Sequence, residues 1–381
     1  MTAMKPKATT SRKELKLTKV HRLGELFCGP GGIACGARGL AVEAPDGRVH
    51  KIHHAWANDY DVASCETILR NNAIDPDHLY CEPVDKFIER FDSLGPIDGL
   101  AFGFPCNDFS NIGEKKGLKG KFGPLFEYGA HALEHFKPTW FLAENVGGLT
   151  NSNEGKTFKL ILDRLRNAGP KYQLTAHLYR FEDYGVPQKR HRIVIVGVKR
   201  GENLPSFSVP APTHVGSPMS AKEALERDPP VSTLKNNEPT KQATQVIQRL
   251  EHTRPGENAW NADLPAHLQL NVKGARLSNI YRRLDEVNPS YTVTGSGGGG
   301  THMYHYSEAR ALTNRERARL QTFPDDYHFL GTKEEVRKQI GMAVPPRGAR
   351  IILQSILRTL AGVEYPSVPA HWEDSIGEEK D

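Results

Sequence analysis

The chain has 381 residues, 38% of them hydrophobic and 25% charged, with a net charge of +5. That length allows one large domain plus a smaller one, no apolar run is long enough to span a bilayer, and the N-terminus lacks the apolar core of a secretion signal. The five cysteines, Cys28, Cys35, Cys65, Cys81 and Cys106, lie in the first third with no CxxC pair, which argues against a disulfide framework or a structural metal site and for a reducing cytoplasm.

In chain order, Lys5, Lys7, Arg12, Lys13, Lys16 and Lys19 face a single Glu14. Residues 1–20 therefore read as a basic flexible arm, either simply solvated or touching a polyanion. Leu23 to Phe27 is a strand, followed by Gly29-Pro30-Gly31-Gly32. Ile52 to Ala57 is a second strand; it ends at Asn58-Asp59, and Tyr60 to Asn71 reads as a helix. Leu79 to Cys81 is a weaker strand. Ile97 to Phe104 is another, ending at Pro105-Cys106; Trp140 to Ala143 ends at Glu144-Asn145; Arg192 to Val198 follows. Strands alternating with helices predict an α/β fold with a doubly wound, largely parallel sheet.

Past residue 200 the rhythm stops. Residues 201–285 are rich in proline, amides and basic residues, with a short helix near Val246 to Leu250. Gly295 to Gly300 reads as a flexible turn supporting that module. Thr313 and Glu316 have the spacing of a capping box, opening a helix that runs to about Thr322. Ile351, Ile352, Ile356 and Leu360 give a last helix, Arg347 to Leu360, its apolar face.

Three reactive side chains, Asp59, Cys106 and Glu144, stand where strands end. Ligands of open α/β sheets bind outside the carboxyl ends of the strands, so the three should converge on one crevice. The glycine loop matches neither GxGxxG nor a phosphate loop. With Asp59 placed for ribose hydroxyls and Glu82 for an adenine amino group, it suggests an adenosine-containing cofactor with no call for pyrophosphate binding. A lone cysteine is more often a small buried hydrophobe. Cys106 differs: it follows a proline at a strand end, where Arg190 and Arg192 could favour a thiolate and Glu144 could handle a proton.

These residues carry a resemblance. Phe27-x-Gly29-x-Gly31, Gly103-Phe104-Pro105-Cys106, Glu144-Asn145-Val146, Gln188-x-Arg190-x-Arg192, Leu312 to Pro324 and Gly341 to Pro346 occur in that order. Together they resemble the six motifs of the DNA cytosine carbon-5 methyltransferases of type II restriction–modification systems, over about two-thirds of the chain. The resemblance implies a Rossmann-like S-adenosylmethionine-dependent methyltransferase domain with a smaller target-recognition domain. The divisions it suggests are an arm (1–20), the catalytic and cofactor-binding domain (21–200), target recognition (201–285), a return to the catalytic domain (286–365) and an acidic flexible tail (366–381).

By the same resemblance Cys106 is the nucleophile, Glu144 the acid at the base ring, Arg192 the ligand of the base carbonyl and Arg190 the support of the cysteine and intermediate. Phe27, Gly29, Gly31, Gly32, Asp59, Tyr60, Glu82, Phe104 and Leu125 would bind S-adenosylmethionine, with Tyr60 stacking on adenine. Ser110, Lys115, Lys116, Gln188, Arg254, Lys273 and Arg276 would touch DNA. No metal is expected. The target carbon is hidden in the base stack, so the cytosine must flip out. The glycine- and lysine-rich stretch from Asn111 to Lys121 reads as a lid closing over phosphates. Lys235, Asn236, Asn237, Lys241, Gln242 and Asn279 join Arg254, Lys273 and Arg276 as candidate base readers.

The expected partners are double-stranded DNA and a separately acting restriction endonuclease, for a monomer near the nucleoid. Two positions depart from the family: Asn107 stands where most relatives have glutamine, and Met342 where most have asparagine. The alternatives are a transfer-RNA cytosine-5 methyltransferase, whose Pro-Pro-Cys-Gln motif is absent here, and a non-catalytic DNA-binding regulator, against which the intact Cys106, Glu144, Arg190 and Arg192 speak.

Overall fold

The computed structural model describes residues 17–104, 125–149, 155–201, 204–271 and 278–373. Its strands are β1 (Thr18–Leu26), β2 (Ala41–Glu43), β3 (Val49–Asp59), β4 (Leu79–Cys81), β5 (Gly99–Gly103), β6 (Trp140–Val146), β7 (Tyr172–Arg180), β8 (Gln188–Lys189), β9 (His191–Lys199), β10 (Val209–Pro210), β11 (Ser290–Tyr291), β12 (Ser367–Val368) and β13 (Trp372–Glu373). The helices are α1 (Gly32–Ala37), α2 (Val62–Arg70), α3 (Val84–Phe87), α4 (Phe126–Phe136), α5 (Lys156–Arg166), α6 (Ala221–Glu226), α7 (Thr244–Glu251), α8 (Asn314–Leu320), α9 (Lys333–Met342) and α10 (Pro346–Leu360).

A nine-stranded sheet runs β13-β7-β9-β6-β5-β1-β3-β2, with β4 also paired to β3. Strands β4, β3, β1, β5 and β6 are parallel neighbours. The expected parallel sheet is half of the answer, because β9 is antiparallel to both β6 and β7. The β7 to β9 connection is short, Phe181 to Arg190, and a short return favours antiparallel pairing over a helical crossover. Strand β7 has no sequence-stretch as uniformly apolar as its neighbours, since Gln173, Thr175 and His177 interrupt it.

Both faces of the sheet are covered. Phe87, Phe126, Leu133, Phe158 and Ile161 from α3, α4 and α5 pack on one side with Phe102 and Phe141. Ile33 from α1 and Ile352, Leu353 and Ile356 from α10 cover the other with Leu142 and Val196. These contiguous apolar layers explain why the strands read as apolar runs. The capping box forms as expected: the Glu316 amide donates to Thr313 Oγ1 at 3.2 Å, and the Thr313 amide donates to Glu316 Oε2 at 2.8 Å.

The smaller module has a core of Leu250, Leu264, Leu268, Tyr281 and Tyr304. Buried Arg283 holds it, donating to the carbonyls of Leu250, Thr253, His305 and Tyr306. Strand β11 pairs parallel with β8, just before β9 of the main sheet. Two divisions shift. Val209–Pro210 pairs with Ser367–Val368, and Val209 and Val368 pack with the core on the α1 and α10 face of the main sheet, so the start of the 201–285 stretch and the start of the tail join that layer. Trp372–Glu373 adds an edge to the main sheet through β7, and Thr18 to Val20, at the end of the arm, already lie in β1. Gly295 is packed rather than loose: a Cβ there would stand 2.9 Å from the Lys338 carbonyl oxygen.

Candidate active site

The sheet register brings the expected residues to one edge. Asp59 ends β3, Phe27 follows β1, Gly103 ends β5 and Glu144 lies opposite Gly103 across the β5–β6 pair. All are at the carboxyl ends of parallel strands, where an open α/β sheet leaves its crevice. Cys106, Ser110, Lys115 and Lys116, with Asn107 and the lid stretch, lie outside the described residues, as do Lys273 and Arg276. The chain leaves β5 beside Glu144, and Asn145 fixes its direction: buried Asn145 donates from Nδ2 to the Phe104 carbonyl at 2.8 Å. That role of Asn145 has no signal in residue type alone, because a buried asparagine in a strand reads as a break.

Glu144 and Arg192 form an ion pair at this edge. In the β6–β9 register Arg192 faces Val146, so the Arg192 and Glu144 side chains emerge two residues apart on one face. Arg192 Nε stands 3.0 Å from Glu144 Oε1, each side chain 13% exposed. Arg192 Nη1 also donates to the His191 carbonyl at 2.8 Å. Glu144 Oε1 makes no aligned hydrogen bond, so the carboxylate keeps capacity for another partner.

Arg190 and Gln188 correct the expectation. Arg190 is buried and donates to the carbonyls of Val293, Gly341 and Ala343, at 3.2, 3.1 and 3.0 Å. Burial, then repulsion from Arg192, lowers its pKa to about 9, and Glu144 opposes this. It ties the junction of β8 and β9 to the segment before α8 and to the last turn of α9. Gln188 is fully buried, donating to Leu320 O and Gln321 Oε1 and accepting from the Val293 amide. A side chain so enclosed is not a DNA contact. Three candidate base readers are likewise used inside the protein: Asn236 caps Phe329 from both sides, Asn237 accepts from Thr313 Oγ1, and Gln242 accepts from the Ala311 amide. Arg254 is exposed and keeps its surface position.

The cofactor residues divide in the same way. Gly29 has φ +52° and nothing within 4 Å of where a Cβ would stand. Its amide donates to Asp59 Oδ2 at 2.7 Å, and the Asp61 amide donates to Oδ1 at 2.9 Å. Burial raises the Asp59 pKa, and these two backbone donors oppose it. Phe27 has φ +58°, a strained backbone for a bulky residue, such as clusters at ligand sites. The Tyr60 ring is 65% exposed, with Lys338 Nζ 5.9 Å from its centroid and 3.3 Å from Asp61 Oδ1. Lys338 is a residue that the motif spacing did not flag, because α9 carries no motif until its end.

Glu82 lies at the end of β4, its Oε1 accepting from Arg90 Nε at 2.6 Å. Leu125, at the start of α4, and the buried Phe104 pack on the core beside this edge. At Gly31 and Gly32 protein fills the space that a side chain would take, so packing alone already demands glycine there. A Cβ on Gly31 would meet Tyr327 and Ile68, and one on Gly32 would stand 2.2 Å from the Val344 carbonyl oxygen. Gly32→Ala is thus expected to cost about 1–3 kcal/mol of stability, measured by urea unfolding, by prying the loop from the segment before α10. Met342 ends α9 with 64% exposure.

The donor set fits an adenosine-containing group: an open glycine backbone, a buried carboxylate on a strand end, an exposed aromatic ring and a second carboxylate on the neighbouring strand. Among the described residues no group of three or more His, Cys, Asp or Glu is placed to hold a metal ion, and no helix is long and apolar enough to cross a membrane.

Comparison with known proteins agrees with this geometry. The chain is 53% identical over 365 residues to the type II methyltransferase M.BbvI of Brevibacillus brevis, covering 94% of this chain and 97% of that one. It is 36% identical over 363 residues to the type II methyltransferase M.NgoFVII of Neisseria gonorrhoeae, covering 93% and 91%. The crystal structure of the Dnmt2 methyltransferase of S. pombe superposes with a TM-score of 0.59 at 16% identity, over 89% of this chain and 98% of that one, and shares the fold. The profile of the C-5 cytosine-specific DNA methylases matches residues 21–358, and with these relatives it shows that the chain belongs to that family.

Proposed function

We propose that the protein methylates carbon 5 of a flipped-out cytosine within a specific duplex DNA sequence, through a covalent Cys106 adduct, as the protective partner of a restriction endonuclease. The observation that carries the reading is the Glu144–Arg192 pair at 3.0 Å beside Gly103, on the strand edge that also holds Asp59 and Gly29. The type II methyltransferase relatives support the restriction–modification setting. Double-stranded DNA is the substrate, and a monomer in the cytoplasm, close to the nucleoid, suits that role.

Carbon 5 of cytosine is a poor nucleophile. Addition of the Cys106 thiolate to carbon 6 makes carbon 5 enamine-like. Glu144 stabilises the developing charge by delivering or sharing a proton at ring nitrogen 3. Arg192 holds the base carbonyl and keeps Glu144 oriented. Gly29, Phe27, Asp59, Tyr60 and Glu82 would hold S-adenosylmethionine, which would supply the methyl group to carbon 5 and leave as S-adenosylhomocysteine. Loss of the carbon 5 proton and release of Cys106 restore the aromatic ring. Arg190 and Asn145 position this machinery: one locks the arginine segment, the other aims the chain out of β5. Arg254 with Ser110, Lys115, Lys116, Lys273 and Arg276 would meet the DNA.

A methyl-transfer assay on mixed duplex DNA followed by bisulfite sequencing tests the reading and reports the target. New 5-methylcytosine at one sequence supports it; cofactor binding without any 5-methylcytosine refutes it. Asp59→Ala removes a charge-assisted hydrogen-bond acceptor worth about 1.5–3 kcal/mol. It is expected to weaken S-adenosylmethionine binding roughly 10- to 100-fold, read by calorimetry, with DNA binding retained.

A further inference from the structure

Two thiols meet beside Asp59, away from the Glu144–Arg192 pair. Cys65 lies in the first turn of α2 and is 3% exposed; its Sγ donates to the Asp59 carbonyl at 3.7 Å. Cys81 ends β4, where the parallel β3–β4 register sets it against the same Asp59. The two thiols lie within hydrogen-bonding reach of each other, and both are free. Both are carried on anchored backbone. Asn58 Nδ2 donates to the carbonyls of Tyr80 and Glu82, at 2.9 and 2.8 Å, which fixes the chain on either side of Cys81. Asp61 caps α2 by accepting from the Ser64 amide at 3.0 Å, which fixes the turn that carries Cys65. Thiols held together in this way meet the main demand of a disulfide, that its two residues face each other without backbone movement.

The two sulfurs differ in access. Cys81 is exposed and Cys65 is buried. Burial raises the Cys65 thiol, and contact with Cys81 and the charges of Asp59 and Asp61 raise it further. Cys65 therefore stays a thiol while Cys81 meets solutes. Cys28 is buried, and burial pushes Cys35 up to about 12, so neither competes for an oxidant at neutral pH. In cytosolic proteins disulfides, where they form, are usually transient redox devices rather than structural bridges.

We propose that Cys81 and Cys65 are an oxidation site: hydrogen peroxide or a related hydroperoxide converts them into a disulfide between Asp59 and Glu82, the two carboxylates of the cofactor edge. The Cys81 thiolate attacks a peroxide oxygen and becomes a sulfenic acid, and the departing hydroxide takes up the proton that Cys81 lost. The Cys65 thiol then attacks the Cys81 sulfur. An S–S bond forms, and the hydroxyl leaves with the Cys65 proton as water. Two thiols are oxidised, and one hydrogen peroxide is reduced to two waters. The bond takes the Cys65 donor from the Asp59 carbonyl and ties the start of α2 to β4, one residue before Glu82. The oxidised chain therefore binds S-adenosylmethionine less tightly, by about 2- to 10-fold for one hydrogen bond lost. That effect rests on the reading of this edge as the S-adenosylmethionine site; the disulfide itself does not.

Non-reducing peptide mass spectrometry of the full chain after hydrogen peroxide tests the bond. A Cys65–Cys81 cross-link that dithiothreitol reverses is expected, lost in both Cys81→Ser and Cys65→Ala. If the buried Cys65→Ala does not fold, Cys81→Ser at its exposed position decides the point. A nucleophilic Cys106 would react with the same oxidant, so affinity is read in a Cys106→Ser chain, by calorimetry with S-adenosylhomocysteine before and after peroxide. The loss of affinity should be reversed by dithiothreitol and absent when Cys81→Ser is added. By linkage, saturating S-adenosylhomocysteine should shift the equilibrium with a glutathione buffer toward the reduced pair by the same factor. Cys81 carried to sulfinic acid, or bridged to a second chain, with Cys65 untouched overturns the proposal. A cross-link with unchanged affinity overturns its effect on the cofactor edge. A reduced chain that forms the cross-link but binds no S-adenosylhomocysteine would keep the oxidation site and refute the cofactor reading; normal cofactor binding with no cross-link would do the reverse.

Discussion

Glu144→Gln is expected to lower the methylation rate about 10²- to 10⁴-fold, the usual contribution of a positioned acid or base. The substitution keeps the shape of a side chain packed between β5 and β9 but removes its proton and its charge. Arg192 then loses its ionic partner at 3.0 Å and, among the described residues, keeps its bond to the His191 carbonyl. Cofactor binding should persist, because Asp59 lies on β3, with β1 and β5 between it and β6. Single-turnover methylation of duplex DNA, with cofactor affinity measured in parallel, checks both halves. A rate within a factor of a few of wild type would remove Glu144 from the chemistry.

Cys106→Ser is expected to have the larger effect, roughly 10⁶-fold, the scale on which removal of a covalent nucleophile is felt. A serine hydroxyl at neutral pH carries almost no alkoxide, whereas a thiol ionises far more readily and is intrinsically more nucleophilic. The variant should still bind S-adenosylmethionine and DNA, so it separates chemistry from recognition. Assay by tritium transfer reads the loss, and anisotropy reads the retained binding. Comparable loss in both assays would mean that the residue supports the fold instead.

Much of this site was legible in the chain because its chemistry sits at strand ends. Asp59, Gly29, Glu144 and Arg192 were each flagged beside an apolar run, and the sheet register then brought them together. What stayed hidden depends on partners distant in sequence. Arg190 and Gln188 look like reactive or DNA-facing side chains until the segments around Val293, Leu320 and Ala343 close over them. The packing demand for glycine at position 32 comes from Val344, 312 residues later. The antiparallel β7 and β9 follow from the short turn between them, a geometric fact with only a faint trace in composition. Lys338 carries no motif; its place beside Asp61 and Tyr60 comes from the packing of α9 against this edge.

The most direct test of the central claim is trapping on duplex DNA carrying 5-fluorocytosine at the target, with S-adenosylmethionine present. Fluorine at carbon 5 cannot leave as a proton does, so the adduct should accumulate and survive denaturation. Peptide mass spectrometry is expected to place the cross-linked nucleotide on Cys106, with the transferred methyl group on carbon 5 of the same base. No adduct despite methylation of ordinary DNA, or an adduct on any other residue, would contradict the account.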